Sequence, residues 1–141
     1  YLLVDKAVWN STTAKGRSVH VFGQYSAAST AASPFTKWYG VGMVLNKPFA
    51  GRPHDTLAIG YGRAVPNPRS REVLESAAIA HGEFVPNLDS GEQLLEISYG
   101  YQATPWLLLR PDLQYIIEPG AFSGEQIQNA LVIGLQAKAT F

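Results

Sequence analysis

The final stretch of the sequence, NALVIGLQAKATF from Asn129 to Phe141, constrains the fold more than any other. From Leu131 onward every odd position is apolar, whereas most even positions carry small or polar residues. This period of two is that of a β-strand with one apolar face. Its length matches a strand tilted across a bilayer, which takes roughly 9–11 residues. Because the stretch ends on an aromatic residue, we expect a barrel strand whose outer face meets lipid.

The composition excludes several classes of protein. The chain of 141 residues has no Cys, so neither a disulfide framework nor a thiolate metal site is available. Eleven basic and eleven acidic residues give a formal net charge of zero, and this balance does not attract nucleic acid. No apolar run approaches the ~18 residues of a transmembrane helix. The chain opens directly in strand-like sequence, YLLVDKAVW, and we interpret it as the C-terminal part of a longer protein.

Period-two alternation recurs along the chain and predicts about seven strands. The predicted strands are Tyr1–Trp9, Ser18–Ala27, Phe35–Asn46, His54–Ala64, Glu92–Ala103, Trp106–Glu118 and Asn129–Phe141. One short helix is predicted over Ser70–Ala80, within the longest irregular stretch, Val65–Gly91. An odd number of strands favours a fragment, because single-chain bacterial barrels have an even number.

The predicted connections alternate between short turns and long loops. The turns are Asn10–Gly16, Lys47–Pro53 and Ala103–Pro105, and the loops are Ala28–Pro34, Val65–Gly91 and Pro119–Gln128. In an antiparallel meander the turns would lie at one end of the sheet and the loops at the other. This asymmetry is typical of outer-membrane barrels. The pattern therefore predicts an all-β chain that forms part of an antiparallel transmembrane β-barrel.

Aromatic residues lie near the predicted strand ends or on the apolar faces, where they suit the interfacial girdles of a barrel. They are Tyr25, Trp38, Tyr39, Tyr99, Tyr101, Trp106, Tyr115 and Phe141. A sugar-stacking role is a second interpretation for Trp38, beside a girdle or packing role. A soluble sandwich whose aromatic residues fill a core is the alternative for the whole set.

Polar residues on the even positions of the last three strands are the candidate pore-lining set. An Arg or Lys on the lipid face would cost about 2–4 kcal/mol near the midplane, so these charges belong inside. Opposite charges such as Arg110 and Asp112 would create a field across the pore. The alternative is that these residues only solvate the lumen and join neighbouring strands. The set is Glu96, Ser98, Gln102, Arg110, Asp112, Gln114, Glu118, Gln136 and Lys138.

Nothing in the sequence indicates an enzyme. There is no Gly-rich phosphate loop and no His cluster with metal-ligand spacing. His20, His54 and His81 lie in three separate segments, and His54-Asp55 is interpreted as part of a turn. We predict no catalytic residue, no metal and no cofactor.

Two segments resemble a known family. The run ISYGYQATPWLLLRPDLQYIIEPGAF, followed by NALVIGLQAKATF, resembles the C-terminus of the OprB-type carbohydrate-selective porins. The segment KPFAGRPHDTLAIGYGRA is similar to the G-R-P-x-D turn of that family and its following strand. One departure is Glu118, where the family more often has Asn before Pro-Gly, and this weakens any role assigned to that loop position.

The resemblance implies a bacterial outer-membrane barrel of about sixteen strands, of which this chain would supply the last seven. Residues 1–141 would be the C-terminal portion of a single barrel domain, with a long outer loop at about 65–91. It implies passive diffusion of sugars such as glucose through a water-filled pore. It also implies that Phe141 is an assembly signal read by the barrel-assembly machinery.

Three other functions remain open from the sequence. They are a general diffusion porin without sugar preference, a soluble all-β binding module, and a non-functional porin fragment. Both a monomer and a homo-oligomer are compatible with the sequence. A soluble module should turn its polar face outward, whereas a barrel should turn its apolar face outward, and this difference separates the two classes.

Overall fold

Seven strands and one helix are formed by the residues that the computed structural model describes, which are 1–14, 16–83, 91–121 and 127–141. The strands form one sheet in chain order, and each strand pairs antiparallel with the next. The predicted antiparallel meander is therefore confirmed. The elements are β1 Leu2–Asn10, β2 Ser18–Ala27, β3 Phe35–Asn46, β4 Thr56–Pro66, α1 Pro68–His81, β5 Glu92–Thr104, β6 Leu107–Ile117 and β7 Ala130–Ala139.

Helix α1 extends beyond the predicted Ser70–Ala80 at both ends. Asn67 is its N-cap, with its side-chain oxygen accepting a hydrogen bond from the Arg69 N–H, and Pro68 opens the helix, where a missing N–H costs nothing. Gly82 ends the helix at a φ of 71°, a left-handed conformation that glycine adopts without strain. The predicted loops at 65–91 and 119–128 include residues 84–90 and 122–126, which lie outside the described residues.

The connections are arranged as the sequence predicts. Residues 11–17, 47–55 and 105–106 join strands at one end of the sheet, which we call the short-turn end. Residues 28–34, 67–91 and 118–129 join strands at the opposite, long-loop end, and α1 lies within the second of these connections. The Thr140 N–H donates to the Trp106 carbonyl over 2.9 Å, so the segment after β7 continues to the short-turn end.

The pairing register gives the sheet two chemically different faces. Ile133 pairs with Leu113, which pairs with Ile97, and this row continues through Ile59 to Met43. These odd positions of β2 to β7 form the apolar face, and the even positions form the polar face.

In β1 the register shifts between Ala7 and Trp9. The register also settles the faces of the adjacent charges in this strand. Asp5 pairs with Phe22 on the polar face and lies 3.8 Å from His20 Nδ1, which leaves Lys6 on the apolar face.

The apolar face is not covered by the part of the chain that the structure describes. Apart from prolines and glycines, Ala121 is the one buried apolar residue among the described residues, and α1 buries none of its side chains. Large side chains of the apolar face are exposed instead, with Ile133 at 81%. None of the described helical segments has the length and apolar character to cross a bilayer. Other exposed members of the face are Val41, Met43, Ile59, Leu95, Ile97, Leu113, Leu131 and Leu135.

Asn67 ties α1 to the neighbouring loop and is 2% exposed. Its amide nitrogen donates to the carbonyls of Thr30 and Ser33 over 2.7 and 2.8 Å. We expect Asn67→Ala to destabilise α1 by about 1 kcal/mol through the lost cap, and further by leaving two carbonyls unsatisfied. Hydrogen exchange in α1 of the full-length protein should become faster.

Two control variants separate the contributions. Asn67→Asp keeps the cap oxygen but loses both donors, and it should also loosen the loop at Thr30 to Ser33. Ser76→Ala removes only an exposed hydroxyl that donates to the Glu72 carbonyl, and it should leave exchange unchanged. Unchanged exchange in Asn67→Ala would contradict this account.

Candidate functional site

The polar face brings together eight of the nine candidate pore-lining residues, whereas Glu118 lies beyond the end of β6 at Ile117. Asp112 pairs with Ser98 on β5 and with Gly134 on β7, and Gln114 pairs with Glu96. The pairs nearer the short-turn end are Arg110 with Gln136, Leu108 with Lys138, and Gln102 with Leu108. Besides Ser98, these residues supply two acids, two bases and three amides to one face of three neighbouring strands.

The acids and bases of this face are separated along the strands. Gln114 Nε2 donates to Asp112 Oδ1 over 2.9 Å and to Glu96 Oε2 over 3.3 Å, so one amide joins two carboxylates on neighbouring strands. Arg110 and Lys138 lie closer to the short-turn end. Successive residues of one face are about 6.6 Å apart along a strand. The wall therefore presents an acidic zone and then a basic zone along the strand direction.

The field across the pore stays a prediction, since no salt bridge joins Arg110 to Asp112 or Glu96 among the described residues. The salt bridges found there are Arg52–Asp55, Arg71–Glu75 and the approach of His20 to Asp5. The carboxylates of Asp112 and Glu96 are joined through Gln114 instead, because that side chain lies beside both acids on the same face.

Gln102 lies on the polar face but serves the turn between β5 and β6. Its Nε2 donates to the Thr104 carbonyl over 2.7 Å and to the Leu107 carbonyl over 3.3 Å. The Thr104 hydroxyl oxygen accepts from the Leu107 N–H over 3.1 Å in the same turn. Both amide hydrogens of Gln102 are therefore used to hold the turn closed.

Sequence reasoning missed a second polar-face feature, which lies on β2 to β5. A cavity of about 240 Å³ opens there, lined by Phe22, Trp38, Gly60 and Glu96 among others. Trp38 pairs with Ala64 and belongs to the even, polar face, where its indole lies against Gly62, as the packing interpretation predicts. Trp38 occupies an even position and Tyr39 an odd one, and this alternation was the signal in the sequence that could have assigned Trp38 to the polar face.

A buried ionic network closes the turn of residues 47–55 at the short-turn end. Asp55 is 1% exposed and accepts from Arg52 Nε over 2.7 Å and from Arg52 Nη2 over 3.0 Å. It also accepts from the Tyr99 hydroxyl over 2.5 Å and from the Gln102 N–H over 3.0 Å. Arg52 lies 4.1 Å from the centroid of the Tyr101 ring. The carboxylate of Asp55 thus joins the turn to β5.

The charge of Asp55 is favoured despite its burial. Burial by itself raises the pKa of this carboxyl, but the hydrogen bonds from Arg52, Tyr99 and Gln102 outweigh it and hold the pKa below its ordinary value. The hydrogen bond that Arg52 donates to Asp55 outweighs the effect of desolvation and raises the pKa of the Arg52 guanidinium. The prediction that His54-Asp55 belongs to a turn is confirmed. Within this turn, Asp55 accepts a hydrogen bond from the Arg52 side chain.

The comparison with known proteins decides what kind of sheet this is. The sequence model described as "Carbohydrate-selective porin, OprB family" matches residues 1–141. The chain belongs to this family.

Porin B of Pseudomonas aeruginosa is 26% identical over an alignment that covers 100% of this chain and 32% of that protein. The high-pH structure of Pseudomonas putida OprB superposes with a TM-score of 0.88 at 27% identity, covering 99% of this chain and 34% of that one. The chain spans about a third of the length of these relatives.

Membership of this porin family fixes the setting of the sheet. The seven antiparallel strands correspond to part of the barrel of an OprB porin. These porins are outer-membrane proteins of Gram-negative bacteria, and they are channels rather than enzymes. The part of the chain that is described contains no group of three or more His, Cys, Asp or Glu that could hold a metal ion.

The Asp55 network predicts an acid-sensitive contribution to stability. Because the folded-state pKa is lowered, this contribution is fully present above the ordinary Asp pKa of about 3.9 and is lost as pH falls below it. Asp55→Asn should lower the thermal unfolding midpoint of the full-length porin in detergent by several degrees at pH 7. The difference from the unmodified protein should shrink between pH 4 and pH 2.

Glu75→Gln is the matched control for this prediction. Glu75 also pairs with an arginine, Arg71, over 3.1 Å, but it is 40% exposed. An exposed pair of this kind is worth about 0–1 kcal/mol, so the midpoint should hardly change. A difference between Asp55→Asn and the unmodified porin that stays constant from pH 7 to pH 2 would exclude the proposed linkage.

Proposed function

We propose that this chain is part of a carbohydrate-selective porin through which sugars such as glucose diffuse passively across the outer membrane. One observation carries the proposal. The sheet has an exposed apolar face and a polar face that collects charges and amides, in a chain of the OprB family. A soluble all-β module would need a protein layer over the apolar side chains, since their contact with water is unfavourable.

In this proposal the apolar face meets lipid and the polar face lines a water-filled pore. Residues 1–141 form the C-terminal portion of a single barrel domain of about sixteen strands, an even number as single-chain barrels require. The pore-lining residues are Glu96, Arg110, Asp112, Gln114, Gln136 and Lys138, with Gln102 at the turn. Sugar hydroxyls both donate and accept hydrogen bonds, so a wall that carries carboxylates, amides and cations suits them better than it suits apolar solutes.

Two further parts of the proposal rest on the resemblance to the family. Phe141 acts as the signal that the barrel-assembly machinery recognises, and its side chain is fully exposed at the short-turn end, where a partner could reach it. The complete porin acts as a monomer or as a homo-oligomer, with outer-membrane lipid as its surroundings and without catalytic chemistry, cofactor or metal.

The assignment of the two faces gives a direct test. Ile133 lies on the apolar face near the middle of β7, and the adjacent Val132 lies on the polar face opposite Gln114. An arginine at a lipid-facing midplane position costs about 2–4 kcal/mol, whereas the same residue facing the lumen costs little. We expect Ile133→Arg, but not Val132→Arg, to lower the free energy of unfolding by that amount.

Urea unfolding of the full-length porin in phosphatidylcholine vesicles, followed by tryptophan fluorescence, provides the measurement. Val132→Arg is the matched control because it places the same charge one residue away. If Val132→Arg were the more destabilising change, the two faces would have to be exchanged and the pore-lining set abandoned.

Substrate preference is tested by swelling of liposomes that contain the full-length porin. We expect faster swelling with glucose than with a disaccharide, because the larger solute diffuses more slowly through a pore, and faster than with an amino acid similar in size to glucose. Equal swelling with glucose and the amino acid would indicate a general diffusion porin. Absence of swelling with every solute would indicate a non-functional fragment or a soluble module.

A further inference from the structure

The cavity on β2 to β5 is floored by glycines and walled by aromatic rings. Phe22 pairs with Gly42, which pairs with Gly60, which pairs with Glu96. This single row across four strands therefore runs from an aromatic ring over two glycines to a carboxylate. Adjacent strands are about 4.8 Å apart, so the ring and the acid stand on strands separated by about three such spacings.

The two aromatic rings lie against glycines of the neighbouring strands. A Cβ placed on Gly62 would lie 2.7, 3.3 and 3.4 Å from three atoms of the Trp38 indole. A Cβ placed on Gly42 would overlap the Phe22 ring and would also meet the Ile59 carbonyl oxygen. Each ring therefore covers a glycine of the next strand, and both rings line the cavity. Phe22 is 42% exposed in this position.

Gly60 behaves differently from the glycines under the rings. A Cβ placed on it would have as its nearest atom the Val41 carbonyl oxygen, at 3.9 Å. The space above Gly60 is therefore open, between the Phe22 and Trp38 rings and beside Glu96 on the next strand. We call this space, bounded by Phe22, Trp38, Gly60 and Glu96, the glycine slot.

Polar groups stand at the edge of the glycine slot. Glu96 accepts a hydrogen bond from Gln114 Nε2 over 3.3 Å, which orients the carboxylate. A carboxylate has about four acceptor sites, so others face the slot. Gln24 lies on the same face beside Gly40 and supplies an amide to the lining of the cavity. The slot thus combines apolar walls with acceptors and donors at its rim.

We propose that the glycine slot is a binding site for one monosaccharide ring. A pyranose has C–H groups on its faces and hydroxyls around its edge, so it can stack on Trp38 and Phe22 while its hydroxyls donate to Glu96 and accept from Gln24. The volume of about 240 Å³ lies below the range of about 300–1,000 Å³ typical for drug-sized ligands, and it suits a single ring. This inference rests on the proposed function and adds to it a sugar-binding site on the pore wall.

Glucose uptake into liposomes by the full-length porin, measured as a function of glucose concentration, tests the slot. Uptake by the unmodified porin should saturate. Trp38→Leu keeps an apolar side chain but removes the ring, and it should raise the half-saturating concentration roughly three- to tenfold, the range expected for loss of one aromatic contact. Trp38→Phe should retain most of the affinity. Uptake of a size-matched amino acid should be unchanged in both variants.

A second pair of variants fills the slot without removing an aromatic ring. Gly60→Leu should raise the half-saturating glucose concentration, because its side chain would occupy the open space. Gly23→Leu is the matched control. A Cβ at position 23 would have the Gly40 carbonyl oxygen as its nearest atom, at 3.9 Å. The space is therefore comparable to that at Gly60, but it lies on the opposite, apolar face. Heat-modifiable migration on gels confirms that each variant is folded.

Each outcome has a defined meaning. The proposed binding site would be refuted if glucose uptake never saturated. It would also be refuted if the half-saturating glucose concentration were equal in the unmodified, Trp38→Leu and Gly60→Leu proteins. Either result would leave the glucose preference in swelling intact. An equal loss of amino-acid uptake would show that the variants narrow the pore without affecting a sugar site. That result would also refute the proposed binding site. Absence of glucose preference in the unmodified porin would instead remove the proposed function.

Discussion

A strand that crosses a bilayer must satisfy its backbone N–H and C=O groups with neighbouring strands, because the hydrocarbon region offers no water. In this chain each strand from β2 to β6 has a partner on both sides, and the pairing extends through the whole length of nearly every strand. Once the backbone is satisfied in this way, the side chains need no protein core. The apolar face can be left to lipid, and the polar face is available for solutes.

The hydrogen-bonded sheet also explains why the ends of the strands are so strongly tied. At the short-turn end, Asp55 and Gln102 each connect a turn to a strand through several hydrogen bonds. At the long-loop end, Asn67 connects α1 with the preceding loop. These connections fix the lengths over which neighbouring strands pair, and so they keep each side chain on its intended face, since a slip by one residue would exchange the two faces.

The sequence predicts the strands well because alternation is a local property. The seven strands, their order and the alternation of short and long connections all follow from period-two patterns and turn residues. The side-chain partners do not, because they depend on the register between strands. Arg110 and Asp112 are close in sequence, but only the pairing with β5 reveals that Gln114 joins Asp112 to Glu96. The sequence left the face of Trp38 ambiguous because its neighbour Tyr39 is also aromatic. Only their even and odd positions along the strand assign the two side chains to opposite faces. The slot was missed because Phe22, Gly60 and Glu96 are distant in sequence and meet only across strands.

The aromatic rings that lie on glycines restrict how this wall can change. The Trp38 indole fills the place that any side chain at position 62 would need. A larger residue at position 62 is therefore tolerated only together with a smaller residue at position 38, so these two positions must mutate together. Position 42 is restricted more strictly, because a side chain there would meet both the Phe22 ring and the Ile59 carbonyl oxygen, and a smaller residue at position 22 would relieve only the first contact.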